Sequence, residues 1–179
     1  MGTSIQEARW VLRAQCDDRE ALECLLRSVQ PALHRYLCGL VGTTSSSDVL
    51  QEVLITISRK LGALHDPELF RAWAYRVASR LAFRHLKREK RWREQGLDES
   101  ALESMAANES VPPDAILKEL LSTNVLSPGS RAVLVLHFQE DMPLADVAAI
   151  LEIPLGTAKS RLAYGLAALR KQFNLKRSV

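Results

Sequence analysis

The sequence predicts an all-α protein: two small helical domains joined by a flexible acidic linker, with a helix-turn-helix in the second. Three observations carry this. Strand signals are nearly absent, since Val and Ile fall inside helical periodicities and no Asn-Gly or Asp-Gly hairpin punctuates the chain. After Trp92 the composition turns abruptly from basic and helical to acidic, with Pro112-Pro113 as a breaker. Near the C-terminus two short helical patterns meet at the tight joint Glu152-Ile153-Pro154. The expected divisions are 1–93, 94–113 and 114–179.

The chain as a whole sets the bounds. Its 179 residues allow one or two small domains, and 47% hydrophobic with 25% charged residues is an ordinary globular composition. The net charge is only +3, from 24 basic and 21 acidic residues, so affinity for nucleic acid has to come from uneven distribution. No apolar run approaches the length of a membrane span and MGTSIQEARW is no secretory signal, so a cytoplasmic protein is expected, without membrane insertion. The three cysteines, Cys16, Cys24 and Cys38, form no CxxC pair. His34 and Cys38 share a helical face, but the paired ligand spacing of a zinc site is missing, and structural cysteines without a metal are expected. No Gly-rich phosphate loop or nucleophile motif occurs, and His34, His65, His85 and His137 are scattered; neither catalytic residues nor a cofactor are expected.

In order, a first helix spans about Ser4 to Ala14. Asp17-Asp18 opens a second, with Ala21, Leu22, Leu25, Leu26, Val29, Leu33, Tyr36, Leu37 and Leu40 inward and Pro31 as a place for a kink. Gly42 to Ser47 reads as a loop, with Ser47 or Asp48 capping a third helix whose inward residues are Val49, Leu50, Val53, Leu54, Ile57 and Leu61. It stops near Gly62. The fourth helix, from Pro67 to about Arg93, has a narrow apolar stripe of Phe70, Trp73, Val77 and Leu81. Arg76, Arg80, Arg84, Lys87 and Arg91 form a line roughly 60–70° round from that stripe. Between Arg76 and Arg93 the one acid is Glu89, and Trp73, Tyr75 and Trp92 flank the line. Such a surface can track phosphates while bases stack nearby; a solvated face with structural tryptophans is the plainer alternative.

The segment 94–113 carries Glu94, Asp98, Glu99, Glu103 and Glu109, a linker with room for one transient helix at Glu99–Ala106. From Asp114 a second helical unit begins with Ile116, Leu117, Leu120 and Leu121, and Ser127-Pro128 then supplies an N-cap and a first helical residue. Pro143–Leu151 buries Leu144, Val147, Ala148 and Leu151. After the joint, Leu155, Ala158, Leu162, Leu166, Leu169 and Phe173 form one stripe, with Thr157, Ser160, Arg161 and Tyr164 roughly opposite. Short polar and basic side chains on the outer face suit a DNA major groove, while Lys159 would reach a phosphate. A plain helical hairpin satisfies the same periodicity. Glu152 stands where a left-handed turn residue would favour Gly or Asn.

Together these features resemble the extracytoplasmic-function sigma factors, the smallest bacterial sigma-seventy-type initiation factors. The resemblance covers nearly the whole chain. Leu126-Ser127-Pro128, Arg131, Leu136 and IPLGTAKSRL are similar to region four, which reads the minus-thirty-five promoter element. Asp48-Val49-Leu50-Gln51-Glu52 is similar to the DLVQE segment of region two, and FRAWAYRVASRLAFRHLKREKR to the helix that recognises and opens the minus-ten element. The resemblance implies a dissociable, non-catalytic specificity subunit whose partners are core RNA polymerase, promoter DNA and an anti-sigma factor. It implies that Asp48, Gln51, Glu52 and Arg59 dock on core polymerase, and that the connector Leu61–Phe70 holds an unstacked base. Trp73, Arg76, Arg80, Arg84, Lys87, Arg88 and Arg91 would serve minus-ten DNA, a core role for Trp73 being equally open. Arg131, Thr157, Lys159, Ser160, Arg161 and Tyr164 would serve minus-thirty-five DNA. Three departures stand out: Arg80 and Arg84 replace an Asn and Asp common in the family, Tyr164 and Leu166 replace basic residues, and Glu152 replaces the turn glycine. The alternative is a stand-alone helix-turn-helix regulator that does not bind polymerase; it has no use for Asp48–Glu52 or the basic helix. Two DNA-reading domains on a tether would bind indiscriminately, so they are expected to pack together in the free protein, with the linker's acids shielding the basic face.

Overall fold

The computed structural model describes residues 3–94 and 126–177, and among these every regular element is helical. The acidic segment after Glu94 and the helix anticipated from Asp114 lie outside the described residues, as do the side chains of Trp92 and Phe173. The first unit consists of α1 (Ile5–Gln15), α2 (Arg19–Val41), α3 (Thr43–Lys60) and α4 (Phe70–Glu94), with 3₁₀ turns at Leu61–Ala63 and Pro67–Leu69. The second consists of α5 (Pro128–Leu134), one π-helical turn at Val135–Gln139, α6 (Leu144–Ile150) and α7 (Leu155–Arg177).

Local chemistry sets most of these bounds. Ser4 and Glu7 close a reciprocal capping box at α1, and Asp18 caps α2 by accepting from the Ala21 amide. Ser127 accepts from the Ser130 amide, and Pro128 occupies the first turn of α5, where its missing N–H costs nothing. α2 continues through Pro31, which lies exposed on its outer side. The start of α3 differs from expectation. No loop separates Gly42 from Ser47; the helix begins at Thr43, and neither Ser47 nor Asp48 caps it. Gly42, at φ 84°, turns the chain sharply enough to begin α3 immediately, and the Ser46 hydroxyl donates to the Thr43 carbonyl inside that first turn.

Val11, Leu25, Leu33, Leu37, Leu40, Val53, Ile57 and Phe70 are fully buried in the first unit, and Val133, Leu134, Leu136 and Val147 in the second. The buried side chains form one continuous cluster that spans both. Leu155, expected on the inward stripe of α7, is 42% exposed instead, in the helix's first turn. α7 meets α5 at Gly165: a Cβ there would come within 2.7 Å of Leu134 Cδ1, so a glycine in mid-helix permits the close approach. His34 lies 3.7 Å from the Cys38 sulfur, and all three cysteines are free. No group of metal-ligating residues forms among the described residues, nor is any described helix long and apolar enough to cross a membrane.

Candidate nucleic-acid interface

α3 presents Asp48, Gln51, Glu52 and Arg59 on one exposed face, within an arc of about 100°. Ile55, 43% exposed, sits in the middle of that arc. Ile55 falls outside the inward set expected for α3, and the sequence reading gave it no role. Gln51 also borders a hollow of about 550 Å³ between α2 and α3, with Arg27, Pro31, His34 and Leu54.

Along α4, Arg80, Arg84, Lys87, Arg88 and Arg91 are exposed and Arg76 is half-buried. Trp73 is half-buried against Phe70, its ring centroid 6.3 Å away. It borders two cavities. One of about 360 Å³ opens between α3 and α4, beside Thr56, Lys60, Val77, Arg80 and Arg84. The other, about 320 Å³, lies between the two units beside Arg71, Arg76, Met142, Asp146 and Ile150. Arg84 forms an ion pair with Glu52 of α3. Tyr75, expected to flank the basic line, is a core residue: its ring is fully buried, edge-on to Tyr36 at 5.5 Å. Its hydroxyl donates to Glu140 Oε2 at 2.6 Å.

That bond crosses from the first unit to the second, and others accompany it. Arg35 approaches the same Glu140 oxygen at 3.3 Å. The Glu140 side chain is wholly buried and its Oε1 has no hydrogen-bond partner among the described residues. Burial, with Glu140 next to it, pushes the Tyr75 phenol well above its ordinary value, so Tyr75 stays a donor. Arg80 donates to both carboxylate oxygens of Glu152 at 2.7 and 2.8 Å, and Arg76 donates to the Ala149 carbonyl at 3.3 Å. The hydrogen bond from Arg80 holds the Glu152 carboxyl below the usual carboxylate range. Glu152 takes a left-handed φ of 54° at the joint between α6 and α7, and this turn aims its side chain at α4.

On α7, Lys159, Ser160 and Tyr164 are exposed, Tyr164 at 76%. The Ser160 hydroxyl donates to the Gly156 carbonyl. Thr157 and Arg161 are half-buried. Arg161 lies across Gly129 at the start of α5, where a Cβ would come within 3.0 Å of its guanidinium carbon. Arg131 faces the first unit in this arrangement, donating to the Leu40 carbonyl at 3.3 Å, and burial lowers its pKa. The fold thus groups the α3 residues on one surface and the α4 residues on another. It splits the expected α7 set, with Arg131 turned inward.

Two family models match, sigma-70 region 2 over residues 25–92 and sigma-70 region 4 over residues 124–171. An RNA polymerase sigma-E factor of Streptomyces coelicolor is 31% identical over 154 residues, 82% of each chain. The ECF RNA polymerase sigma factor SigW of Bacillus subtilis is 24% identical over 168 residues, 87% of this chain and 90% of SigW. Among solved structures, the sigma factor RpoE of Bartonella quintana, in complex with the anti-sigma factor NepR, has a TM-score of 0.67 at 25% identity. That match covers 85% of this chain and 96% of RpoE. CnrH, solved with the cytosolic domain of CnrY, shares the fold with a TM-score of 0.69 at 22% identity, over 95% and 98% of the two chains.

Proposed function

Because the chain belongs to the extracytoplasmic-function sigma factors, with regions 2 and 4 of the sigma-70 family in order, we propose a division of labour among its surfaces. A sigma factor of this family is a non-catalytic subunit that binds core RNA polymerase and directs promoter-specific initiation. Residues 1–93 bind core and open the minus-ten element, 94–113 form the tether, and 114–179 read the minus-thirty-five element. The exposed face of α3, with Asp48, Gln51, Glu52, Arg59 and Ile55, docks on polymerase. Arg76, Arg80, Arg84, Lys87, Arg88 and Arg91 follow minus-ten phosphates, and Trp73 borders the space for an unstacked base. Arg131, Thr157, Lys159, Ser160, Arg161 and Tyr164 serve the minus-thirty-five duplex. Opening trades pairing and stacking, about a few kcal/mol, for stacking and pocket contacts to extruded bases. The chain performs no covalent chemistry of its own and needs no cofactor.

The packed arrangement is the free, inactive state. Arg76 and Arg80 are engaged by Glu152 and the Ala149 carbonyl, and Arg131 by Leu40, so the surface that would meet the promoter is spent on the chain itself. Separation is inexpensive at Glu140, because a buried carboxylate with one unpartnered oxygen regains water when the units part. A partner such as an anti-sigma factor would act by holding this state closed.

The observation that carries this reading is the co-occurrence, in the family's order, of the exposed α3 face, the basic line of α4 and the α6–α7 corner. Run-off transcription with purified core polymerase, this protein and a pool of genomic promoter fragments tests it. Defined transcripts that depend on its addition are expected. Specific duplex binding with neither transcripts nor a complex with core would overturn it in favour of the stand-alone regulator.

A further inference from the structure

α1 lies outside the segment matched to region 2, yet its two ends hold the two ends of the connector between α3 and α4. At its C-terminal end, the Gln15 side-chain amide nitrogen donates to the Leu61 carbonyl at 2.9 Å and to the Leu64 carbonyl at 2.8 Å. Both amide hydrogens are spent on one turn, 46 and 49 residues away in sequence. At its N-terminal end, Glu7 takes Arg71 in a two-pronged pair, Oε2 from Nε at 2.9 Å and Oε1 from a terminal nitrogen at 2.7 Å. Thr3 Oγ1 accepts from the Arg71 backbone N–H at 3.2 Å. Glu7 also accepts from the Ser28 hydroxyl and the Ser4 amide, so one buried carboxylate ties α1, α2 and the start of α4 together.

Between the pinned ends the connector is open. Leu61 and Leu64 are buried, whereas His65, Asp66, Glu68 and Leu69 are exposed, Leu69 at 56%. Fixed ends with an open middle describe a loop whose shape is set from outside while its own side chains stay available to a ligand. A run of 3₁₀ turns has few internal hydrogen bonds with which to hold its own geometry.

We infer that α1 is a splint for this connector, which makes Gln15 and Glu7 positioning residues for selection of the minus-ten base. The inference rests on the reading above that the connector holds an unstacked base. Gln15 supplies the sharper test because its role is that of a donor alone. Gln15→Glu is nearly isosteric, but its carboxylate presents only acceptors to two carbonyls. Gln15→Lys restores donors on a side chain of sufficient reach.

The experiment uses the full chain with core polymerase, on a promoter that it transcribes and on single-base substitutions at each minus-ten and minus-thirty-five position. The readout is the ratio of transcription from the parent promoter to that from each substitution. For Gln15→Glu the minus-ten ratios should fall roughly tenfold, the scale expected when a pocket is displaced rather than removed. The minus-thirty-five ratios should hold, the loss should persist on a template already unpaired at the minus-ten element, and Gln15→Lys should retain discrimination. A purely structural role would lower output from every template alike and leave the ratios intact, and that result overturns the splint. If Gln15→Glu fails to fold, Gln15→Ala compared with Gln15→Lys gives the same contrast, and equal minus-ten ratios in those two overturn it as well. His65→Ala with Leu69→Ala separates the two readings. If that pair changes minus-ten ratios while Gln15 variants do not, the splint fails and the base-holding connector stands; if neither does, both fail.

Discussion

The Arg80 guanidinium donates through one nitrogen to both carboxylate oxygens of Glu152, at 2.7 and 2.8 Å. Arg80 belongs to the basic line of α4, and Glu152 forms the corner between α6 and α7. Both depart from the family pattern that the chain otherwise resembles, and they meet each other. The acid at the corner has a cost: a non-glycine residue at φ 54° is strained by about 1 kcal/mol. Its return is a contact that a glycine could not make.

Replacing Glu152 by glycine should therefore relieve the turn and release Arg80 together. Both side chains are largely exposed, so the pair is worth up to about 1 kcal/mol, or roughly fivefold in affinity. Free Glu152→Gly protein should bind nonspecific duplex that much more tightly at low salt, measured by fluorescence anisotropy. The advantage should fade as salt rises.

Tyr75→Phe removes the hydroxyl that donates to Glu140 and leaves the rings packed. Glu140 would then be wholly buried with only Arg35, at 3.3 Å, on one of its oxygens. A cost of about 1–3 kcal/mol to the packed state is expected. Small-angle scattering should show the variant shifting from a compact particle to two separated units. The wild-type chain should stay compact.

Glu7 should make the first unit sensitive to acid. Burial alone would raise its carboxyl, but hydrogen bonds from Arg71 and the Ser4 amide, the charge of Arg71 and the Ser28 hydroxyl outweigh it and hold the group at about 2. A depressed carboxyl contributes stability that is fully present above its ordinary value of 4.5 and is lost as pH falls from there towards 2. Urea unfolding at pH 7 and pH 3 should show this loss in the wild type. Glu7→Gln should be less stable at pH 7 and flatter across the interval.

Gln51→Ala combined with Glu52→Ala should cut retention by core polymerase at least about tenfold, as expected for paired contacts at an interface. Duplex binding by the α6–α7 corner should persist. A pull-down beside an anisotropy titration checks both. Ile55→Asp should give the same result, because a charge would then occupy the middle of that face.

Lys159→Ala should weaken duplex binding evenly across sequences and reduce the slope of log affinity against log salt by about one. Tyr164→Ala should instead change which bases are preferred. Titrations at several salt concentrations, on a specific and a scrambled duplex, distinguish the two.

Most helices and their inward faces were legible in the sequence because each buries a stripe against its own unit: Val49, Val53 and Ile57 on α3, or Val147 and Ala148 on α6. The exceptions have physical reasons. The start of α3 was placed too late because polar Thr43 to Ser47 read as loop, whereas one left-handed Gly42 let the helix begin at once. Tyr75 was misjudged because α4 buries more than its narrow apolar stripe: the ring meets Tyr36 of α2 and the hydroxyl reaches Glu140 of the other unit, and periodicity within one domain carries no signal of a partner domain. Glu140 was invisible for the same reason: a lone acid in a polar stretch is ordinarily solvated, and only the packing of both units buries it. Gln15 joins residues almost fifty positions away, beyond the reach of any local pattern.

The ion pair between Arg84 and Glu52 joins two side chains proposed for different macromolecules, the first for promoter DNA and the second for polymerase. Each is the other's competitor. When polymerase takes Glu52, Arg84 loses its counterion and becomes a stronger ligand for phosphate; when DNA takes Arg84, Glu52 is freed for polymerase. Thermodynamic reciprocity makes the two effects equal, and an exposed pair sets their size at no more than about 1 kcal/mol. Two salt-bridged residues on adjacent helices would thereby make the chain bind its two large partners with positive cooperativity, favouring the ternary complex over either binary one.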